Sequence, residues 1–230
     1  MPKKSTKKLS VFGKHWPMLQ AGWASYHLWL FEKYVQTVGK ALQDEARRLP
    51  QRVKKELAKL EGEEKFEREQ FYQIHADDLK SEFPSILYET LYIGIHARFE
   101  QELVTFCDKI QDIRGYKISV EDFGRNDIIG NCHKYYTKVA DIPFPNSGTE
   151  WNVIKKLRTI RNKIVHERGR LVRKGAEESE EAKELQKFVV DKKGTVSKSK
   201  YVHVTEEFCL FTISVLKAFL TKIGEVTPPE

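Results

Sequence analysis

The stretch "LYETLYIGIHARFEQELVTFC", Leu87–Cys107, decides the fold class. Leu87, Leu91, Ile95, Phe99, Leu103 and Phe106, followed by Ile110, recur at intervals of three or four residues. That spacing holds one face of a helix apolar for about six turns. Pro84 suits the first turn of such a helix, where its missing N–H has no partner to lose. A long helix buried along one side is therefore predicted.

Working outward, Leu19, Trp23, Tyr26, Leu30 and Tyr34 repeat at helical spacing and predict a helix over about 17–48. Pro50 is expected to break or kink it. The charged segment "QRVKKELAKLEGEEKFEREQFYQIH" follows, with Val53, Leu57 and Leu60 on one side and an interruption expected near Gly62. Downstream, "DIIGNCHKYYTKVA" predicts a helix over about 125–140, and "DIPFPNSGTE" a loop, because its prolines and Asn-Ser-Gly oppose regular structure. Thr149 and Glu150 open another helix with Val153, Leu157, Ile160 and Ile164 as its core stripe, and Gly169 ends it. The run "KFVVDKKGTVSKSKYVHVT" reads as a hairpin turning at Lys-Gly. Thr205 caps a last helix, with Glu206 and Glu207 in its favourable first turn and Phe208, Phe211, Val215 and Phe219 buried. The expected fold is all-α, a bundle of five or more helices with a small β-hairpin before the last.

The chain has 230 residues, 40% of them hydrophobic, enough to bury a core. No run of about 18 apolar residues exists to span a membrane. The basic start "MPKKSTKKLS" has no apolar segment behind it, so no signal peptide is expected. Cys107, Cys132 and Cys209 are widely spaced and odd in number. A disulfide framework or zinc site is not expected; buried free thiols in a cytoplasmic protein are. The formal net charge is +7. Residues 151–174 hold nine bases (Lys155, Lys156, Arg158, Arg161, Lys163, Arg168, Arg170, Arg173 and Lys174) against one acid, Glu167. So concentrated a field attracts polyanions, although a basic run is also what a solvated helix face looks like.

Within that segment lies "RTIRNKIVHERG", residues 158–169. At 100° per residue, Arg158, Asn162 and His166 form one polar row away from the core stripe. Arg161 falls on a shoulder beside Ile154 and Val165, a second apolar surface that suggests a close neighbour. Histidine exchanges protons near neutral pH, and a guanidinium matches phosphate oxygens. With an amide to orient them, these groups suit attack of a ribose 2′-OH on its own phosphate, for which no metal or other cofactor is needed. His96, His133, Tyr135 and Tyr136 read as packing residues before ligands or base-stacking groups.

"RNKIVH", Arg161–His166, resembles the Arg-x(4–6)-His signature of the HEPN superfamily (higher eukaryotes and prokaryotes nucleotide-binding domains). The order of a long apolar helix, a loop, the motif helix and one more helix is similar too, over roughly residues 82–223. Arg68 and His75 have the same spacing but lack the asparagine. The resemblance implies a HEPN-like domain over 81–230 behind an N-terminal helical extension, 1–80. It implies a metal-independent endoribonuclease of the toxin–antitoxin or antiviral-defence kind, acting on RNA as a homodimer with one composite cleft, and an antitoxin or defence-system protein as a further partner. Arg161, Asn162 and His166 would be catalytic, with Arg158 and Glu100 in support. Lys155, Lys163, Arg168 and Arg170 would contact RNA. A non-catalytic HEPN-like dimer that binds nucleotides, RNA or a partner is the alternative.

Overall fold

The computed structural model describes residues 11–124, 126–172 and 175–229; Arg173, Lys174 and the N-terminal lysines lie outside the described residues. The fold is mostly helical. After a short turn of helix, α1 (Val11–Lys14), come α2 (Trp16–Leu57), α3 (Gly62–Lys80) and α4 (Glu82–Arg114). A 3-10 turn at Val120–Phe123 precedes α5 (Ile128–Lys134), which runs into a π-helical turn at Tyr135–Val139. Then follow α6 (Thr149–Glu167), α7 (Glu180–Asp191), strands β1 (Thr195–Val196) and β2 (Val202–His203), and α8 (Glu206–Val226). No helix among the described residues is long and apolar enough to cross a membrane.

Two compact units divide the chain. The described parts of Met1–Trp29, His96–Lys155 and Ser214–Glu230 make the first, and Leu30–Ile95 with Lys156–Ile213 the second. The expected extension, 1–80, and domain, 81–230, are thus each shared between the two units.

In the first unit, Phe99, Leu103, Phe106 and Ile110 of α4 are buried, as their spacing predicts. Phe219 of α8 lies 6.0 Å from Phe99 and 5.6 Å from Phe144, and stacks on Trp151 at 5.6 Å. Tyr135 and Tyr136 are fully buried, Tyr136 sharing a hydrogen bond with Thr227 at 3.0 Å, so neither is available to stack a base. The face that α2 buries here is not the one with large apolar residues. Ala21, Ala24 and Leu28 point inward, while Leu19, Trp23 and Tyr26 are exposed. The reason is a close helix approach: a Cβ on Gly224 of α8 would come within 2.7 Å of Ala21 Cβ and 3.0 Å of the Pro17 carbonyl oxygen. Small residues on both helices permit it, and a tryptophan there would not fit.

In the second unit, Tyr88, Leu91, Tyr92 and Ile95 of α4 pack in a core shared by Leu157, Ile160 and Ile164 of α6 and Phe208 of α8. Leu30 and Tyr34 of α2 are exposed, and Val35 is the buried residue. Pro50 does not end α2, which continues to Leu57. An interior proline costs about 3 kcal/mol of helix. Here Leu49 beside it is buried, and Ala46, Leu49 and Val53 share a groove with Tyr72, Gln73 and Ala76 of α3. Packing between the two helices offsets the loss. The chain reverses after Leu60 at Gly62, whose φ of 58° is easy for glycine.

Two expectations are corrected between 179 and 203. Phe188, Val189 and Val190 belong to α7, not to a strand. The Ser179 side chain accepts a hydrogen bond from the Ala182 N–H, Glu180 and Glu181 fill the first turn, and Ala182, Leu185, Phe188 and Val189 are buried. Lys193 (φ 68°) and Gly194, whose N–H donates to the Val189 carbonyl at 2.9 Å, end that helix instead of turning a hairpin. The hairpin itself is short, with Val196 opposite Val202 and the turn at 197–200. Thr205 caps α8 as expected, its hydroxyl accepting from the Phe208 N–H at 3.1 Å.

All three cysteines are buried and free. Burial pushes the Cys209 thiol up to about 12. Its contact with Cys132, and then burial, raise that of Cys107 as well. A thiolate is the reactive form, so a disulfide-exchange reagent at pH 8 should label none of the three in native protein and all three in denaturant. Gly224→Ala should lower stability by about 1–2 kcal/mol through overpacking, against the sign of helix propensity. Gly22→Ala, at an exposed position in α2 with open space around it, should raise stability by up to ~1 kcal/mol. Urea unfolding of the two variants checks both signs.

Candidate active site on the motif helix

Three ties fix α6 within the second unit. Tyr92 of α4 donates its hydroxyl to the Leu157 carbonyl at 2.8 Å, fully buried. Lys156 pairs with Glu184 of α7 at 3.4 Å and stands 5.8 Å over the Phe188 ring. The third tie is at the C-terminus. Helix α6 ends at Glu167, Arg168 takes a φ of 53°, and Gly169 (φ 79°) turns the chain toward β2. A Cβ on Gly169 would approach the Val202 carbonyl to 3.0 Å. Its carbonyl accepts from the Val202 N–H, and the Lys200 carbonyl from the Leu171 N–H, both at 2.9 Å. The glycine expected to stop the helix also lets the hairpin pair against the segment that leaves it.

On this fixed helix, Arg161 and Asn162 come together. The Arg161 Nη1 donates to the Asn162 side-chain oxygen at 3.0 Å. Arg161, Asn162 and Arg158 are half-buried, and His166, one turn further on, is exposed. The arginine–amide contact is thus built within one chain, while the imidazole is presented to solvent. The second apolar shoulder is narrower than the spacing suggested: Ile154 is buried in the core, and Val165, 44% exposed, is what remains beside Arg161. Glu100 is half-buried on α4 and belongs to the first unit, whereas Arg158, Arg161, Asn162 and His166 belong to the second.

The four residues expected to contact RNA divide. Lys155 and Arg168 are exposed. Lys163 is half-buried and pairs with Glu167 at 2.9 Å, one turn along the same helix. Arg170 is occupied: its Nε donates to the Tyr201 hydroxyl at 2.9 Å, its Nη2 is bonded to the same oxygen, and its guanidinium lies 5.0 Å over the Tyr201 ring. Lys156 in the same basic segment is paired too, with Glu184 of α7, a helix the sequence reading did not recognise. Among the described residues, no three His, Cys, Asp or Glu side chains gather as metal ligands.

No family model matches the chain, and neither does any curated protein or solved structure.

Tyr92→Phe deletes one buried hydrogen bond to α6 and should cost about 1 kcal/mol, read as a lower urea midpoint with helix content unchanged. Arg170→Ala should likewise act on stability, by about 1 kcal/mol from the lost hydrogen bonds and ring contact, and should change RNA affinity less than Lys155→Ala does.

Proposed function

We propose that the protein is a metal-independent endoribonuclease of the HEPN type, with its site on α6. The observation that supports this reading best is the pairing of Arg161 with Asn162 one turn before an exposed His166, on a helix anchored by Tyr92 and by the hairpin. A guanidinium steadied by a neighbouring amide can receive a phosphate without first searching for its rotamer. An exposed imidazole can reach a substrate hydroxyl.

In this reading His166 takes the proton from a ribose 2′-OH as its oxygen bonds to the adjacent phosphorus. Arg161 stabilises the charge on the phosphoryl oxygens. The P–O5′ bond breaks, and a second imidazole, the His166 of another copy, returns a proton to the departing 5′-oxygen. The products carry a 2′,3′-cyclic phosphate and a 5′-hydroxyl. One chain offers a single imidazole at the motif, so the reading requires two copies with their α6 helices facing, Val165 between them. Exposed Lys155 and Arg168 would hold the RNA backbone. Antiviral defence or a toxin–antitoxin pair would be the setting, with an antitoxin or defence protein as partner.

A second reading is a non-catalytic dimer that binds RNA or nucleotides. It draws on the same exposure of His166, because no group among the described residues orients that ring by a hydrogen bond. One assay separates the two. Purified protein incubated with single-stranded RNA in EDTA should cleave it, leaving cyclic-phosphate ends. His166→Ala and Arg161→Ala should each slow cleavage about 100-fold or more with an unchanged circular dichroism spectrum. Binding without cleavage by the unaltered protein selects the second reading.

A further inference from the structure

The first unit contains a polar cluster that the motif does not use. Glu102 of α4 has a side chain only 3% exposed. Its Oε1 accepts from His27 Nδ1 of α2 at 2.8 Å and from Arg98 Nη2 at 2.6 Å, and its Oε2 accepts from Gln20 Nε2 at 3.2 Å. Arg98 Nη2 also lies against His27 Nδ1. A carboxylate that accepts from Nδ1 leaves the Nε2 edge of the imidazole for another partner. The side chains of His27 and Arg98 are each about one third exposed, so a buried anion holds a guanidinium and an imidazole at the surface.

Above this pair the aromatic residues of α2 are unburied. Trp23 is 61% and Tyr26 46% exposed. Their rings stand edge to face at 6.0 Å, and both lie within 6.4 Å of the His27 ring. Tyr26 stacks on Trp29 at 5.7 Å. A groove of about 580 Å³ begins at Gln20 and Trp23 and continues past Lys109 and Asp112 of α4.

We propose that Trp23, Tyr26, His27 and Arg98 form a subsite for single-stranded RNA, in which unpaired bases stack on the two aromatic rings, the guanidinium holds the intervening phosphate and the Nε2 of the imidazole accepts from a ribose 2′-hydroxyl. Glu102 is the positioning residue for both. The proposal rests on the ribonuclease reading for its choice of RNA, although it concerns a different surface. Two observations favour a nucleic acid over an apolar protein face. Buried charge clusters contribute little to stability against an apolar replacement, so fixing Arg98 and His27 at the surface is the service Glu102 performs. The exposed groups are flat π-faces beside a guanidinium, which is how sequence-tolerant binding of single strands is built.

The test uses the full chain carrying His166→Ala, so that binding is read apart from cleavage. Probes are a fluorescent ten-nucleotide oligoadenylate and an RNA duplex of equal length, at fixed salt. Trp23→Ala and Tyr26→Ala should each weaken single-strand binding about tenfold, leave duplex binding unchanged, and leave the fold intact because both side chains are exposed. Trp23→Phe should retain most of the affinity. Glu102→Gln should weaken binding; tighter binding would mean that the carboxylate merely repels phosphate, and would end its positioning role. The proposal is overturned if single-strand affinity is indifferent to both aromatic variants, if duplex binding falls equally, or if Trp23→Ala only converts a dimer to a monomer in sedimentation, which would assign the face to a second copy. If the unaltered protein proves unable to cut RNA, the ribonuclease reading fails while this binding result still stands.

Discussion

Burial of one apolar stripe on α4 is the constraint on which everything else depends. Leu91, Ile95, Phe99, Leu103, Phe106 and Ile110 are all withdrawn from water, each at roughly 25 cal/mol per Å² of apolar surface buried. The stripe also dictates what its flanks do. Tyr92, next to Leu91, is carried into the interior with a hydroxyl that must find an acceptor, and finds it on α6. Glu102, next to Leu103, is carried in with a charge, and needs His27, Arg98 and Gln20 around it. The polar features of both units thus follow from an apolar periodicity.

Much of this was legible in the sequence. The stripes of α4 and α6 announce themselves because aliphatic residues at helical spacing leave no other economical structure, and Thr205 and Gly169 act where their chemistry says they should. The failures have physical causes. Phe188, Val189 and Val190 fit a strand as well as a helix turn, and only the Ser179 cap with its acidic first turn favours the helix. On α2 two faces compete. The larger side chains lose, because proximity to Gly224 selects alanines. Pro50 misleads for a related reason: a local backbone penalty is outweighed by contacts with α3 that are remote in sequence.

The candidate site divides in the same way. Its row of Arg158, Asn162 and His166 is a matter of spacing along one helix and could be drawn from the sequence. That Arg170 would be taken up by Tyr201, or Lys156 by Glu184, could not, because those partners come from elements whose positions depend on the whole core. The cluster of Glu102, His27 and Arg98 is hidden most deeply. Its histidine and carboxylate are separated by 75 residues, and nothing local marks either one.

The chemical silence of the native sulfurs has a practical consequence. A chain whose own cysteines are shielded is ready for site-directed labelling without first being stripped of them. A single cysteine in place of Val165, at the edge of the motif helix, would carry a nitroxide, and dipolar spectroscopy would then report whether a second label comes near it.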